Sequence, residues 1–268
     1  MFEGNVHRLA PPRTLMVGTG RPEVRRITLA DVYDSFAEGM ADWRETPLFG
    51  MLFGAVYAVV GALLIWYLNS HNRVYLVVPA LSAFLLIGPG IALGLYEISR
   101  RHEDDEPILP RAIYLAGLRH GGAQIAVFGC ALAVIAVTWL ATADFIHDQI
   151  YGHPVWTIAG LVEAVFTTWQ GARYAAIGIA VGAVFAILTF CLSVIAAPML
   201  LDRDVDAWNA VTTSIAAVAR SPVAFLVYAI LVTAVIAAGL AAFLIGLLVA
   251  LPVVGFATWH LYRRTIVW

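Results

Sequence analysis

The sequence predicts an all-α fold: a polytopic membrane helix bundle of six transmembrane helices, with interfacial amphipathic helices and a parallel internal repeat. Three observations carry this expectation. Hydrophobic residues fill 61% of 268 positions and charged residues only 13%, against about 25% charge in an average soluble domain. Apolar runs recur at the ~20-residue length that carries a helix across a ~30 Å hydrocarbon layer, where every backbone polar group must be satisfied internally. The basic residues, all sixteen of them arginine, gather in alternate connections, as they do in loops retained in the cytoplasm.

Residues 1–27 are rich in Arg, Pro and Gly and lack an apolar core, so they read as a disordered cytoplasmic tail and not as a signal peptide. Residues 28–268 form the membrane domain. It opens with "DVYDSFAEGMADWRETP" (31–47), in which Leu29, Val32, Phe36, Met40 and Trp43 fall on one helical face and Asp31, Asp34, Glu38, Asp42 and Glu45 on the other. That pattern predicts an amphipathic helix lying on the membrane surface. Thr46-Pro47 then marks a helix start, with the hydroxyl expected to cap a free amide and proline occupying the first turn.

Spans follow at Leu48–Leu68, Tyr75–Ile98, Gln124–Thr142 and Ala176–Leu200. The stretch Val223–Thr258 carries no charge and is too long for one crossing, so it must fold back between Gly239 and Gly246. With six spans and an inside N-terminus, fourteen arginines lie inside and only Arg73 and Arg173 outside. Trp66, Tyr67, Tyr75, Tyr96, Trp139, Tyr174 and Trp259 then fall near span ends, where amphipathic rings favour the interface.

The second and last spans close alike. "PGIALGLYEISRR" (89–101) and "PVVGFATWHLYRR" (252–264) align at a shift of 163, pairing Pro89 with Pro252, Tyr96 with Trp259, and Glu97 with His260. Residues 31–47 likewise match "DAWNAVTTSIAAVARSP" (206–222). The domain therefore divides into repeat one (28–101), a central hairpin (110–203) and repeat two (204–264). Pro89 and Pro252 are expected to kink their spans near the midplane. Proline kinks in paired repeats mark a transport site in some transporters and serve packing alone in many other spans.

Six residues stand out as candidates. Beside the two prolines, Glu97 and His260 sit three positions before their arginine pairs, either joined across the pseudo-symmetry axis or solvated at the interface. Asp202 and Arg203 belong to the junction "LLDRDVDAW" (200–208), whose acids suit helix starts. Small-residue ladders at Gly50-Gly54-Ala58-Ala62, Gly90-Gly94 and Gly178-Gly182 read as close helix packing. Asp144, His147, Asp148 and His153 fall on the outer connection and read as hydrated residues, not a metal site. The segment Trp156–Trp169 is amphipathic and is expected on the outer surface or as a cap. Cys130 and Cys191 lie in apolar runs without a metal or disulfide spacing. No catalytic residue, metal or cofactor is assigned.

The stretches "ITLADVYDSFAEGMADWRETP", "GPGIALGLYEISRR", "PMLLDRDVDAW" and "LPVVGFATWHLYRR" resemble an uncharacterised family of bacterial integral membrane proteins, a domain of unknown function. Some of its members are labelled putative cytochrome c oxidase subunits. The resemblance implies the bacterial inner membrane, and the arginine placement with six spans puts both termini on the cytoplasmic side. It does not imply the catalytic oxidase subunit, which holds its haems and copper through histidines within its spans: here His7, His71, His102, His120, His147 and His153 lie in the tail, in loops or at span edges, and only His260 is near a membrane segment. The expected role is a non-enzymatic accessory, scaffold or assembly protein, with a small-solute transporter or channel built on spans two and six as the alternative. The partners expected are the lipid bilayer and either other membrane subunits or a second copy, with no nucleic acid.

Overall fold

The computed structural model describes residues 22–119, 122–152, 157–242 and 244–268. Of the tail expected over 1–27, residues 1–21 lie outside these residues, as do His120, His153 and Trp156, whereas Glu23–Val24 form a strand and Ile27 is buried. In chain order the elements are β1 (Glu23–Val24), α1 (Leu29–Glu45), α2 (Pro47–Ser70), a 3-10 turn (Val74–Leu76), α3 (Val77–Leu86), α4 (Gly88–Ile91) and α5 (Leu93–Glu103). There follow α6 (Pro110–Tyr114), α7 (Ala116–Arg119), α8 (Gly122–Ile150), α9 (Ile158–Thr167), α10 (Trp169–Ser193) and α11 (Ala196–Asp202). The chain closes with α12 (Ala207–Arg220), α13 (Pro222–Ala241), α14 (Leu247–Thr265) and β2 (Ile266–Val267). It is an all-α membrane bundle.

Four helical rods are long and apolar enough to cross a bilayer: α2, α8, α10 continued through α11 (Trp169–Asp202), and α13. Their most apolar windows are only 22–28% buried within the protein, as expected of helices whose remaining surface is solvated by lipid. The second expected span is broken instead of simply kinked. Pro89 has no amide hydrogen to donate and its ring crowds the preceding turn, and the helix divides around it into α3, α4 and α5. Its pieces still run the length of α8 in the opposite direction. The Tyr75 hydroxyl donates to Asp144 (2.8 Å), Trp139 Nε1 donates to the Pro79 carbonyl (3.1 Å) and the Ser82 hydroxyl (2.9 Å), and Gly90 faces Gly129 and Leu132.

α14, by contrast, passes through Pro252 without interruption. It runs back along α2 and then α1, with Leu248 against Gly54, Pro252 against Gly50 and Ala257 against Gly39. The fold-back before it falls at 242–246, within the expected Gly239–Gly246 window. Leu244 there adopts a left-handed φ of 66°, and a Cβ added to Gly246 would lie 2.7 Å from Gly239 Cα.

Below the thinly buried spans lies a densely packed layer of α1, α5, α11, α12 and the carboxyl half of α14. Trp259, Leu261, Tyr262, Met199, Ile195 and Ile98 are completely excluded from solvent there. Four rings expected at the membrane interface are thus in packed cores: Trp259 and Tyr96 at 0% and 2% exposure in this layer, and Trp139 and Tyr75 at 5% and 8% in the core between α3 and α8. Trp66 and Tyr67 remain exposed near the carboxyl end of α2.

The surface-lying reading of α1 needs correction. Its buried face is Val32, Ser35, Gly39 and Asp42, a stripe of mostly small residues that admits α14 to backbone contact, so Asp42 leaves the solvent-facing side expected of it. Leu29 is 43% exposed. In α12 the buried set is Ala207, Ala210, Ser214 and Ala217, the same four positions when 31–47 is laid on 206–222. Thr46 (φ −124°, ψ 49°) and Ser221 (φ −136°, ψ 57°) adopt matching backbones before their prolines. Neither hydroxyl caps the following helix, contrary to expectation. Thr46 donates back to the Asp42 carbonyl (2.8 Å), and Ser221 accepts from the Ile27 amide (3.0 Å).

Two further expectations change. Asp144, His147 and Asp148 are on the last turns of α8 and not in a loop, and the buried His147 ring stacks 3.6 Å from Tyr75. The Gly50 ladder continues through Tyr57 and Gly61 and leaves Ala62 exposed, while Gly178 has open space around it. α9 rests on the start of α10, where Gly171 meets the Ala164 backbone. At the opposite end β1 pairs with β2 in antiparallel register, Glu23 against Val267 and Val24 against Ile266, extended by the Arg25 amide donating to the Thr265 carbonyl (2.8 Å).

Candidate functional site

The close approach of Gly39 to Ala257 sets the main polar centre. A Cβ on Gly39 would lie 2.6 Å from the Ala257 amide nitrogen, and this contact brings Asp42, one turn further along α1, under His260 of α14. α5 delivers Ser99 and His102 to the same carboxylate. Asp42 accepts from the Ser99 hydroxyl (2.5 Å), from His260 Nε2 (2.9 Å) and from His102 Nδ1 (3.0 Å).

The other nitrogen of each imidazole also faces a carboxylate, Glu38 at 3.1 Å from His260 Nδ1 and Glu45 at 2.7 Å from His102 Nε2. Ionised carboxylates only accept, so the ring nitrogen that bonds Asp42 carries the hydrogen in each imidazole, while Glu38 and Glu45 stand within ion-pair distance of the other nitrogens. The result is a continuous file, Glu45–His102–Asp42–His260–Glu38, that ends on Arg264. Arg264 grips Glu38 with two bonds of 2.6 Å, the bidentate geometry in which guanidinium matches carboxylate best. Arg263 donates to Glu103 (3.0 Å), whose other oxygen is 3.8 Å from His260.

Burial acts on these acids against their partners. It would raise Asp42, but the bond and charge of His260, the Ser99 hydroxyl and the nearby His102 hold it below its ordinary range. Glu38 is lowered in the same way, with Arg264 and His260 outweighing burial. At Glu103 burial wins over Arg263 and His260, and the carboxyl is raised.

The expected residues divide among three places. Glu97 and His260 are neither solvated nor joined to each other. Glu97 is 2% exposed and takes bonds from Arg100 (2.9 and 3.0 Å) and Arg101 (2.7 Å), while Arg101 also holds the Pro107 carbonyl (2.8 Å) and so ties down the loop after α5. Asp202 has a fully buried side chain and accepts from the Tyr262 hydroxyl (2.8 Å). Arg203 places its guanidinium 5.2 Å from the Trp268 ring, whose Nε1 donates to that same hydroxyl (3.2 Å). Pro252 is packed on Gly50.

Pro89 borders a cavity of about 150 Å³ between the break, α2, α10, α13 and α14, lined by residues that include Phe53, Tyr57, Tyr96, Phe190, Tyr228 and Leu251. The Tyr228 and Thr258 hydroxyls there bond each other (2.7 Å). A cavity of this size and apolar lining holds a molecule about as large as benzene.

Sequence reasoning missed Asp42, Ser99, His102 and Glu38 as members of the centre. The usable signal was the small-residue stripe: Ser35 and Gly39 mark the contact face, and Asp42 is the next position on it. Among the described residues no group of three or more His, Cys, Asp or Glu has the arrangement to hold a metal ion.

Residues 77–202 match the model of a family described as a predicted integral membrane protein, DUF2189. The match runs from the start of α3 to the end of α11 and takes in Pro89, Glu97 and Asp202. No curated protein and no solved structure matches the chain.

Proposed function

We propose that this integral membrane protein crosses the bacterial inner membrane six times, with both ends of its membrane domain on the cytoplasmic side, and acts there as a non-enzymatic accessory or assembly protein. The β1–β2 ribbon supports the crossing count, because two ends that hydrogen-bond to each other require an even number of passages. The four long rods, the α3–α5 chain lying antiparallel to α8, and α14 lying antiparallel to α2 make six. The shared buried register of α1 and α12, each leading through a hydroxyl residue and proline into a span, supports the parallel repeat.

The observation that carries the accessory reading is how the charged groups are used. Glu38, Asp42, Glu97 and Glu103 are engaged by histidines and arginines of the same underlayer, which locks α1, α5 and α14 together as a fixed platform. The oxidase-subunit label attached to some similar proteins makes a respiratory complex the first partner to test. Gentle solubilisation from native membranes, followed by size analysis and mass spectrometry, is expected to give a particle larger than the monomer with defined companions. A lone monomer would overturn the reading.

The second reading, a small-solute transporter or channel, is favoured by the cavity at the Pro89 break. It requires solute flux in liposomes that changes with Pro89→Ala or Pro252→Ala. Absence of flux across a solute panel retires it.

A further inference from the structure

The cavity beside Pro89 is not sealed off from the lipid. It shares Leu85, Pro89, Phe190, Ser193 and Val232 with a wider groove of about 810 Å³ that runs along the face between α3, α10 and α13. That groove lies among the thinly buried spans, so molecules dissolved in the bilayer reach it laterally. Its walls are apolar apart from Thr189, Ser193 and Thr233, and the Thr233 hydroxyl is spent on the Ala229 carbonyl (2.8 Å). Thr189 is 3% exposed, lines the groove, and its hydroxyl has no hydrogen-bond partner. One turn further on, Ser193, 2% exposed, lines both groove and cavity.

A threonine in a membrane helix ordinarily returns its hydroxyl hydrogen to the carbonyl four residues back, as Thr138, Thr142 and Thr233 do here at 2.7–2.8 Å. Thr189 does not. A buried hydroxyl left without a partner is costly, more so where no water can reach it. The groove therefore offers an apolar bed, a pocket of single-ring width at its inner end, and two buried hydroxyl residues, Thr189 and Ser193, along the α10 wall.

We propose that this groove and cavity form a binding site for a neutral, bilayer-dissolved molecule with an apolar body and a carbonyl oxygen, which accepts from Thr189 and Ser193 while its end fills the pocket at the Pro89 break. The site goes beyond the accessory role and stands whether or not a partner complex is found. It involves no bond-making step.

The test uses two photoreactive probes in nanodiscs containing the full chain: a long-chain ketone and the alkane of the same length, each carrying a diazirine. Sites of insertion are mapped by peptide mass spectrometry. The ketone is expected to label the groove segments of α3, α10 and α13 saturably, and unlabelled ketone should compete. Val232→Trp, which fills the junction of groove and cavity, is expected to abolish saturable labelling. Thr189→Val combined with Ser193→Ala keeps the volume nearly constant and removes the donors, so ketone labelling should fall about tenfold to the alkane level, the loss expected of one or two hydrogen bonds. If Val232→Trp does not fold, this double variant alone decides. Labelling that never saturates and matches the exposed α8 face at Val127, Val134 and Val137 overturns the proposal. So does equal ketone labelling of wild type and double variant.

Discussion

Asp42 is the residue on which the underlayer turns, because three helices meet at its carboxylate. Removing it leaves His260 Nε2 facing a void, with Glu38 and Glu103 both on the side of Nδ1. Asp42→Ala is accordingly expected to lower stability by about 3–5 kcal/mol, the usual penalty for stripping one partner from a buried charged pair, measured by denaturant unfolding in detergent.

The acids also set a pH dependence with two signs. Glu38 and Asp42 have folded values below their ordinary ones, so the stability they add is present above the unfolded carboxylate range and is lost as pH falls through the lowered folded values. Glu103 is raised, so its contribution is full below its unfolded value and is lost as pH climbs through the folded one. Glu103→Gln is expected to flatten that second loss and leave the acid limb unchanged in a pH series of melting curves. Asp42 was hard to read from sequence for a specific reason. Binary patterning sorts residues by polarity, whereas a contact face chosen for closeness is sorted by size, and an acid beside Ser35 and Gly39 falls on the wrong side of the first sorting and the right side of the second.

At the level of elements, backbone contact at glycine decides which helices touch. Gly39 and Gly54 meet backbone atoms of α14 at distances a Cβ would bring to 2.6 and 2.4 Å. Gly39→Ala and Gly54→Ala should each cost about 1–3 kcal/mol by overpacking, and Gly178→Ala, in open space, should be neutral or stabilising by up to ~1 kcal/mol through helix propensity. A comparison of the three melting temperatures checks this ordering.

The long apolar rods were legible from composition and length, as was the fold-back near Gly246, since lipid imposes those features on any spanning chain. The different fates of Pro89 and Pro252 were not. Both lack the same amide hydrogen, but Pro252 lies buried on Gly50 of α2, and Pro89 lies between two flanking glycines beside a cavity. Tertiary packing, which a single helix pattern does not contain, makes the difference.

For the molecule as a whole, the meeting of residues 23–24 with 266–267 is the most exacting constraint. In a background with Cys130→Ala and Cys191→Ala, the pair Glu23→Cys and Val267→Cys is expected to form a disulfide under mild oxidation, since directly opposed antiparallel residues lie within disulfide reach. Each cysteine alone should react with an impermeant reagent only from the cytoplasmic side in oriented vesicles. Reaction of the Val267→Cys variant from the exterior would remove the even crossing count and the repeat with it.

The same ribbon makes the membrane domain nearly a closed ring. A rearranged gene that joins residue 268 to residue 22 through a short linker and starts translation within 104–109 would keep every crossing in its original direction, with both new ends again in the cytoplasm. Such a permuted protein is expected to insert and fold, which a bundle whose ends lay on opposite faces of the bilayer could not do.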